Sequence, residues 1–304
     1  MTSATPPLRH TKGGPSKRRP KQTVVDSEPP DPKPGIRSIL VVDDDRLILE
    51  FMDDLLRKEG YEILTAQDGL TALDILKTHT PQVIFLDLVM PGVDGKNLCR
   101  IIRKKEAFRD VYITILSATL AEEPVDMVEL GADACIAKGS FAEVARNVLF
   151  VLREPNAASS ICSSGKAIGV EDVHPRIMTR QFLSLKKHSD MIMEKMSQGI
   201  VEMTPEGRIL FANPAALSLI SIPEDQLLGS SFLNLLEGET CRWMEEMISA
   251  SNEQTGNIPF EGTVSLNGYM ISLEMLRHRD REETLCIIMT DITHQEAETK
   301  SLRD

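Results

Sequence analysis

The stretch Val-Ile-Phe-Leu-Asp-Leu-Val-Met-Pro-Gly, residues 83–92, decides the fold. Its first four residues have the length and composition of a buried parallel strand. Asp87 follows directly, and Pro91 and Gly92 mark the loop that leaves the strand. In open α/β sheets, ligands and reacting groups gather at the carboxyl ends of the strands. Asp87 is therefore predicted to lie at a functional edge of such a sheet.

Three other predicted strands end at polar residues. Ile-Leu-Val-Val (39–42) runs into Asp43, Asp44 and Asp45; residues 112–116 end at Ser117; and Cys-Ile-Ala (135–137) ends at Lys138. Because parallel strands end at the same edge, we expect these side chains to meet Asp87. Carboxylates, a hydroxyl and an ammonium group in one place suit Mg²⁺-assisted phosphoryl transfer onto an aspartate.

In that chemistry, Asp87 attacks phosphorus and becomes an acyl phosphate. Asp43, Asp44 and Asp87, with the backbone carbonyl of Val89, are the predicted Mg²⁺ ligands. Ser117 is predicted to donate its hydroxyl to a phosphoryl oxygen, and Lys138 to pair with the same group as a point charge.

The organisation of the chain changes several times along its length. Residues 1–36 are predicted to be a disordered basic leader, with eight Lys/Arg against three Asp/Glu over residues 1–37. Over residues 37–152, apolar runs alternate with amphipathic helical patterns, which predicts five βα units and a doubly wound parallel sheet. Residues 153–180 have no period and are predicted to be a linker. Residues 181–198 are predicted to be a connecting helix, either an ordinary amphipathic helix or a coiled coil.

Residues 199–298 predict an α+β domain, followed by a tail over 299–304. Pro205-Glu206-Gly207 separates two apolar runs as a hairpin turn, and Asn267-Gly268 is typical of a two-residue hairpin. Helical segments lie between these hairpins. The pattern predicts two strands, then helices, then three strands of an antiparallel sheet.

Composition excludes several classes of protein. The net charge is −12, and most of the acidic residues lie beyond residue 37, so direct DNA binding is not expected. No apolar stretch has the length of a membrane span, and there is no apolar signal core. Five scattered cysteines without a Cys-x-x-Cys pair fit a reducing cytoplasm better than a disulfide framework or a zinc site.

Residues 37–152 resemble the receiver domain of two-component response regulators. The matching stretches are residues 39–45, 85–95, Leu-Ser-Ala at 116–118 and Ala-Lys at 137–138. The resemblance implies a flavodoxin-like sheet of strand order 2-1-3-4-5, and a histidine kinase or phosphotransfer protein as the phosphoryl donor. It also implies that Asp44 ligates Mg²⁺ directly and that Asp43 does so mainly through water.

The sequence departs from the receiver pattern at four positions. Gly139 stands where the family usually has Pro after the lysine, and Cys135 stands where it usually has an aromatic switch residue. Val89 and Thr119 occupy positions that in the family help to orient the hydrolytic water. Because an apolar Val cannot do so, we expect a long-lived phosphoryl group.

Residues 186–298 resemble a PAS domain. The resemblance rests on Gly-Ile-Val at 199–201, residues 204–216, Leu228-Gly229 and Asp-Ile-Thr at 291–293. It implies dimerisation through the PAS domain and its flanking helices. No PAS cofactor is expected, because residues 190–277 contain no histidine for a haem and Cys241 lacks the flavin motif around it.

The sequence thus predicts a cytoplasmic phosphorelay protein without a separate catalytic domain. Three alternatives remain open: the N-terminal part of a longer hybrid sensor kinase, a PAS-led small-ligand sensor with a degenerate receiver, and an aspartyl phosphohydrolase. The last normally has Asp-x-Asp-x-Thr/Val at its first strand, whereas Leu47 stands at the final position here.

Overall fold

The computed structural model describes residues 37–121, 130–170, 177–253, 260–279 and 283–295. The predicted leader and tail lie outside the described residues, as do residues 122–129, where the helix of the fourth predicted βα unit is expected. Within the described ranges, two five-stranded sheets form the two domains.

The first sheet is parallel, with strand order β2-β1-β3-β4-β5. Its strands are β1 (Ser38–Val42), β2 (Glu62–Ala66), β3 (Val83–Leu86), β4 (Tyr112–Ser117) and β5 (Ala134–Ala137). The helices described around it are α1 (Arg46–Lys58), α2 (Gly69–Ile75), α3 (Gly95–Lys104) and α4 (Phe141–Arg153). Short 3₁₀ turns lie at Glu106–Phe108 and Ala118–Ala121. This confirms the predicted doubly wound fold and its strand order.

The apolar runs of the sequence form the core of this domain. Every residue of β3 and β5 is buried, as strands covered on both faces should be. α1 buries Leu49, Met52 and Leu56 against the sheet, at helical spacing. The helices begin at capping side chains: Asp45 accepts a hydrogen bond from the Leu47 amide, and Ser140 forms a capping box with Glu143.

The structure describes two parts of the predicted linker, residues 153–170 and 177–180, and both contain secondary structure. Helix α5 (Pro155–Ser163) follows α4, and Ile168 then pairs with Ile136 as a short parallel bridge on the edge strand β5. Two backbone hydrogen bonds form the bridge, from Ala137 N to Ile168 O (2.9 Å) and from Ile168 N to Cys135 O (2.8 Å). This segment has no periodic pattern of apolar residues, and it is ordered because it covers a sheet edge that would otherwise be exposed.

The connecting helix α6 spans Ile177–Lys195 and leads into the second domain. The second sheet is antiparallel, with order β7-β6-β10-β9-β8. Its strands are β6 (Gly199–Met203), β7 (Ile209–Ala212), β8 (Phe260–Leu266), β9 (Tyr269–Arg279) and β10 (Glu283–Asp291). Helices α7 (Pro214–Ile220), α8 (Glu224–Leu227) and α9 (Gly238–Glu253), with a 3₁₀ turn at Phe232–Leu235, lie between β7 and β8. This confirms the predicted α+β domain.

Local sequence signals explain the second sheet. Asn267 (φ 51°) and Gly268 (φ 85°) both take the left-handed backbone that a tight two-residue hairpin needs. On β9, Ile271, Leu273 and Met275 are buried on one face. A methyl group on Gly262 would lie 2.3 Å from the Trp243 ring, so the indole packs directly on the backbone of β8 at this glycine.

The two domains are in contact with each other. Arg208 donates to both carboxylate oxygens of Asp74 on α2, at 2.7 and 3.0 Å, and Lys104 on α3 pairs with Asp225 on α8 at 2.8 Å. One cluster of buried apolar side chains continues from the first domain into the second. The second domain therefore rests on the α2–α3 side of the first.

None of the helices in the described ranges combines the length and the apolarity that a bilayer crossing requires.

Candidate functional site

The strand register brings the predicted acids together. Val42 at the end of β1 pairs with Leu86 at the end of β3, so the next residues, Asp43 and Asp87, leave the sheet side by side. The amide of Asp87 donates to the carbonyl of Val42 at 3.0 Å, which extends the ladder into the site. Both carboxylates are buried, with 1 % of Asp43 and 7 % of Asp87 exposed.

Lys138 lies between these two carboxylates. Ser117 pairs with Ala137 across β4 and β5, and the Lys138 amide donates to the Ser117 carbonyl at 3.0 Å. The side-chain Nζ of Lys138 donates to Asp87 Oδ2 at 2.5 Å and forms an ion pair with Asp43 Oδ2 at 2.6 Å. The ammonium therefore neutralises part of the buried negative charge.

Burial sets the protonation of the site. Desolvation raises the pKa of Asp43 to about 6, and the charge of Asp87 adds to this, while Lys138 opposes it. For Lys138, burial lowers the pKa, but the charges of Asp87 and Asp43 outweigh burial and the net shift is upward. The lysine is thus charged at neutral pH, beside an acid that holds its proton unusually well.

The acids form a cluster that suits a divalent cation. Asp43, Asp44 and Asp87 each offer a carboxylate oxygen within 4.8 Å of the others. The side chain of Asp44 is the most exposed of the three. Its pKa is still raised, first because the carboxylate is partly desolvated and then because the charge of Asp87 is near. Asp43 Oδ2 is buried and accepts no hydrogen bond of good geometry, although Lys138 Nζ is near. Oxygen ligands with spare lone pairs and excess negative charge fit Mg²⁺.

The other predicted site residues lie around this cluster. Ser117 is buried at the end of β4, with its Oγ 3.2 Å from Thr119 Oγ1. The Val89 amide donates to Asp87 Oδ1 at 3.3 Å, which orders the loop after the strand. The role of the Val89 carbonyl as a metal ligand stays a prediction.

Gly95 lets helix α3 begin against the Asp87 backbone. A methyl group on Gly95 would lie 1.9 Å from the Asp87 carbonyl oxygen, so any side chain here must displace the loop. Asp94 caps the same helix by accepting from the Asn97 amide at 2.9 Å. The glycine thus fixes where the loop from residue 87 to residue 94 can run.

Cys135 is buried under the segment predicted as a linker. Its thiol donates to the Lys166 carbonyl at 3.2 Å, and its Sγ lies 3.4 Å from that of Cys162 on α5. The contact with Cys162 and burial both raise the pKa of the Cys135 thiol. The segment after α4 therefore occupies the space next to the position where the family usually has an aromatic side chain.

Residues from outside the first domain reach the site, and the sequence reasoning missed them. A cleft of about 490 Å³ runs from Asp44 and the loop at Pro91 and Gly92 to Thr204–Glu206 and Leu210 of the second domain. A methyl group on Gly92 would lie 3.0 Å from a Leu210 methyl carbon. On another side, helix α6 packs near Val89 and Thr119. Only the tertiary arrangement brings these distant segments together.

Two family models match the chain. Residues 39–148 match the response regulator receiver domain, and residues 187–292 match the PAS fold. The first match covers all the predicted site residues, and the second begins within helix α6.

Solved receiver domains are similar to the first part of the chain. A response regulator of Thermotoga maritima, solved in complex with Mg²⁺-BeF, is 32% identical (TM-score 0.34); 38% of this chain and 99% of that chain are covered. A receiver domain from Francisella is 30% identical (TM-score 0.35), covering 39% and 98%. The receiver domain of a signal transduction histidine kinase from Syntrophus aciditrophicus is 29% identical (TM-score 0.34), covering 38% and 90%.

Proposed function

We propose that this chain, a two-component signalling protein in which a response regulator receiver domain is followed by a PAS domain, accepts a phosphoryl group on Asp87. One observation carries the proposal: Asp43, Asp44 and Asp87 cluster at one sheet edge, and the Lys138 ammonium bridges two of them. Receiver domains in general interact with histidine kinases or phosphotransfer proteins, and we propose such a donor here.

In the proposed transfer, a carboxylate oxygen of Asp87 forms a bond to phosphorus while the bond from phosphorus to the donor's histidine nitrogen breaks. The electron pair of that bond returns to the imidazole. Lys138 remains beside the carboxylate and binds the charge that arrives on the phosphoryl oxygens. Ser117 donates its hydroxyl to one of those oxygens.

Asp43, Asp44 and Asp87 would hold Mg²⁺. When bound, the ion neutralises charge on the acids and on the phosphoryl oxygens. The fit rests on the excess of negative charge in the cluster and on the spare acceptor capacity of Asp43 Oδ2.

We propose that the phosphoryl group alters the contact between the receiver and PAS domains. The loop after Asp87 touches the PAS domain at Gly92, and Arg208 anchors the PAS domain to α2. Phosphorylation then shifts the population of docked and undocked arrangements, which a partner protein reads. We propose no other catalytic activity for this chain.

A homodimer through the PAS domain and its flanking helix is part of the proposal. On α6, Leu185 is 71 % exposed and Ile192 is 50 % exposed, seven residues apart along the helix. Apolar residues at that spacing lie on one face and suit pairing with a second copy of the helix.

Phosphoryl incorporation tests the function. The full chain is incubated with Mg²⁺ and a small acyl phosphate, and separately with a phosphorylated histidine kinase, and its intact mass is measured. One added phosphoryl group is expected in the wild type and none in Asp87→Asn. Asp54→Asn, at an exposed position on α1, removes the same charge and is the matched control.

Light scattering on the same samples reports the oligomeric state. A change in mass distribution that depends on Asp87 would connect phosphorylation to PAS pairing. If no donor phosphorylates the wild type, the receiver is degenerate and the proposed function is wrong. Binding of metabolites to the PAS domain would then be the alternative to test.

A further inference from the structure

One face of helix α6 lies against the receiver domain. Leu183, Lys186, Lys187 and Asp190, spaced i, i+3, i+4 and i+7, line a small cavity on the receiver surface. Leu183 is only 8 % exposed there, whereas Leu185, on another face of the helix, is 71 % exposed. The connecting helix is therefore docked by a defined face.

The opposite wall of this cavity is the phosphoacceptor region. Leu88 and Val89 directly follow Asp87, and Thr119 is hydrogen-bonded to Ser117. The enclosed space is about 50 Å³. Helix α6 thus covers the side of the site where the phosphoryl oxygens facing Ser117 would lie.

The charge of the cavity suits an anion. Lys96 from α3 and both lysines of α6 contribute to its lining, against the carboxylate of Asp190. Lys186 Nζ lies 3.3 Å from Asp94 Oδ2, while the other oxygen of Asp94 caps α3. Its ammonium thus lies at the C-terminal end of the loop that runs from Asp87 to Asp94.

We propose that helix α6 forms a wall of the phosphoryl site, and that Lys186 and Lys187 bind the oxygens of the phosphoryl group on Asp87. This inference rests on the proposed function. A phosphoryl group brings about two negative charges and three acceptor oxygens, to which a lysine pair makes charge-assisted hydrogen bonds. Phosphorylation therefore tightens the docking of α6. Leu183 and Val89 exclude water from the same place, which prolongs the life of the acyl phosphate.

The C-terminal end of α6 transmits this change to the PAS domain. Asn213, fully buried, donates to the carbonyls of Met193 (3.2 Å) and Gln198 (2.9 Å), and its Oδ1 accepts from the Ile200 amide at 2.8 Å. The end of the helix is thereby tied to the start of β6 and to the cap of α7. A helix held more firmly over the phosphoryl group also holds the PAS domain more firmly.

Hydrogen exchange on the full chain tests the proposal. The exchange of amides 183–190 is measured by mass spectrometry before and after incubation with acyl phosphate and Mg²⁺, and phosphoryl occupancy is measured in the same samples. In the wild type, phosphorylation is expected to slow exchange about fivefold or more. The double variant Lys186→Gln/Lys187→Gln is compared with the wild type at matched phosphoryl occupancy, where the slowing is expected to be lost and the phosphoryl half-life to be shorter.

Lys195→Gln is the control for losing a lysine charge from α6, because it lies at an exposed position of the helix outside the cavity. It is expected to behave like the wild type. If the wild type is phosphorylated but its exchange is unchanged, or if the double variant keeps the slowing, the inference is wrong while the proposed function stands. If the wild type takes up no phosphoryl group, both are wrong.

Discussion

Replacing Asp43 by Asn is expected to stabilise the metal-free protein at neutral pH. In the wild type the Asp45 amide donates to Asp43 Oδ1 at 3.1 Å, and the asparagine side chain keeps an oxygen that can accept this hydrogen bond. Lys138 keeps Asp87 as a partner at 2.5 Å, so its ammonium is not left unpaired. What the substitution removes is a buried negative charge.

The raised pKa of Asp43 gives the size and the sign of the effect. Its pKa rises from 3.8 to about 6 on folding, so between these values the folded state binds more protons than the unfolded state. Stability then falls as pH rises through this window, and above it the penalty is complete. Two pKa units at about 1.4 kcal/mol each give about 3 kcal/mol as the upper figure. An amide facing Lys138 cancels part of the gain, so we expect about 1–3 kcal/mol.

Urea unfolding with EDTA, followed by circular dichroism, measures this difference. Wild type and Asp43→Asn are compared at pH 7.5 and at pH 5, and Asp54→Asn controls for a change of net charge on the surface. The variant is expected to be more stable at pH 7.5, and its advantage is expected to shrink at pH 5. Mg²⁺ is expected to stabilise the wild type far more than the variant.

Two results would refute this reasoning. A variant that is less stable than the wild type at pH 7.5 without metal would show that Asp43 contributes more through Lys138 than burial costs. An advantage that does not change with pH would show that its origin is not the protonation of Asp43.

Four further predictions concern the domain contact, its pH dependence, the loop and the phosphoryl group. Arg208→Ala, which removes the bidentate contact with Asp74, is expected to weaken docking by about 0.5–1 kcal/mol and to increase the radius of gyration in X-ray scattering; an unchanged radius would contradict it. Arg208 holds the pKa of Asp74 below its usual range. The ion pair therefore stabilises docking fully at pH values above the usual pKa of an aspartate, and this stabilisation is lost as pH falls through the lowered pKa. X-ray scattering across pH 3–5 checks this pH dependence. Gly95→Ala places a methyl group 1.9 Å from the Asp87 carbonyl oxygen. We expect it to lower the free energy of unfolding in urea by about 2 kcal/mol or more and to slow phosphorylation. Phosphorylation at the wild-type rate would show that the loop adapts freely. With Val89 beside the site, the phosphoryl group is expected to last far longer than seconds in a mass-spectrometric time course; a half-life of seconds would exclude the apolar position as a protecting feature.

Several parts of the fold were predictable because their signals are local. Four of the five strands of the receiver sheet are short, largely apolar runs, and Asp43, Asp87, Ser117 and Lys138 directly follow or end them. Parallel strands end at a common edge, so the neighbourhood of Asp43, Asp87 and Lys138 follows from their positions in the sequence. Their protonation does not, because it depends on how deeply the sheet edge is buried.

The secondary structure within the predicted linker has a different origin. Helix α5 and the bridge at Ile168 have weak periodicity of their own, and their order comes from contacts with β4 and β5. For instance, Tyr112 Oη donates to the Pro155 carbonyl at 2.9 Å. A segment that gains its structure from a distant edge strand carries little of that information locally.

The sequence by itself determined the order of the elements, the two fold classes, and the acids and lysine of the candidate site. These features depend on the spacing of apolar residues and on the residues at strand ends, both of which are local properties of the sequence. Tertiary structure alone decided that Lys186 and Lys187 lie near residue 89 and that Arg208 meets Asp74. Those contacts join segments about 100 residues apart or more, and they depend on which faces of α6 and of the PAS sheet remain free to pack.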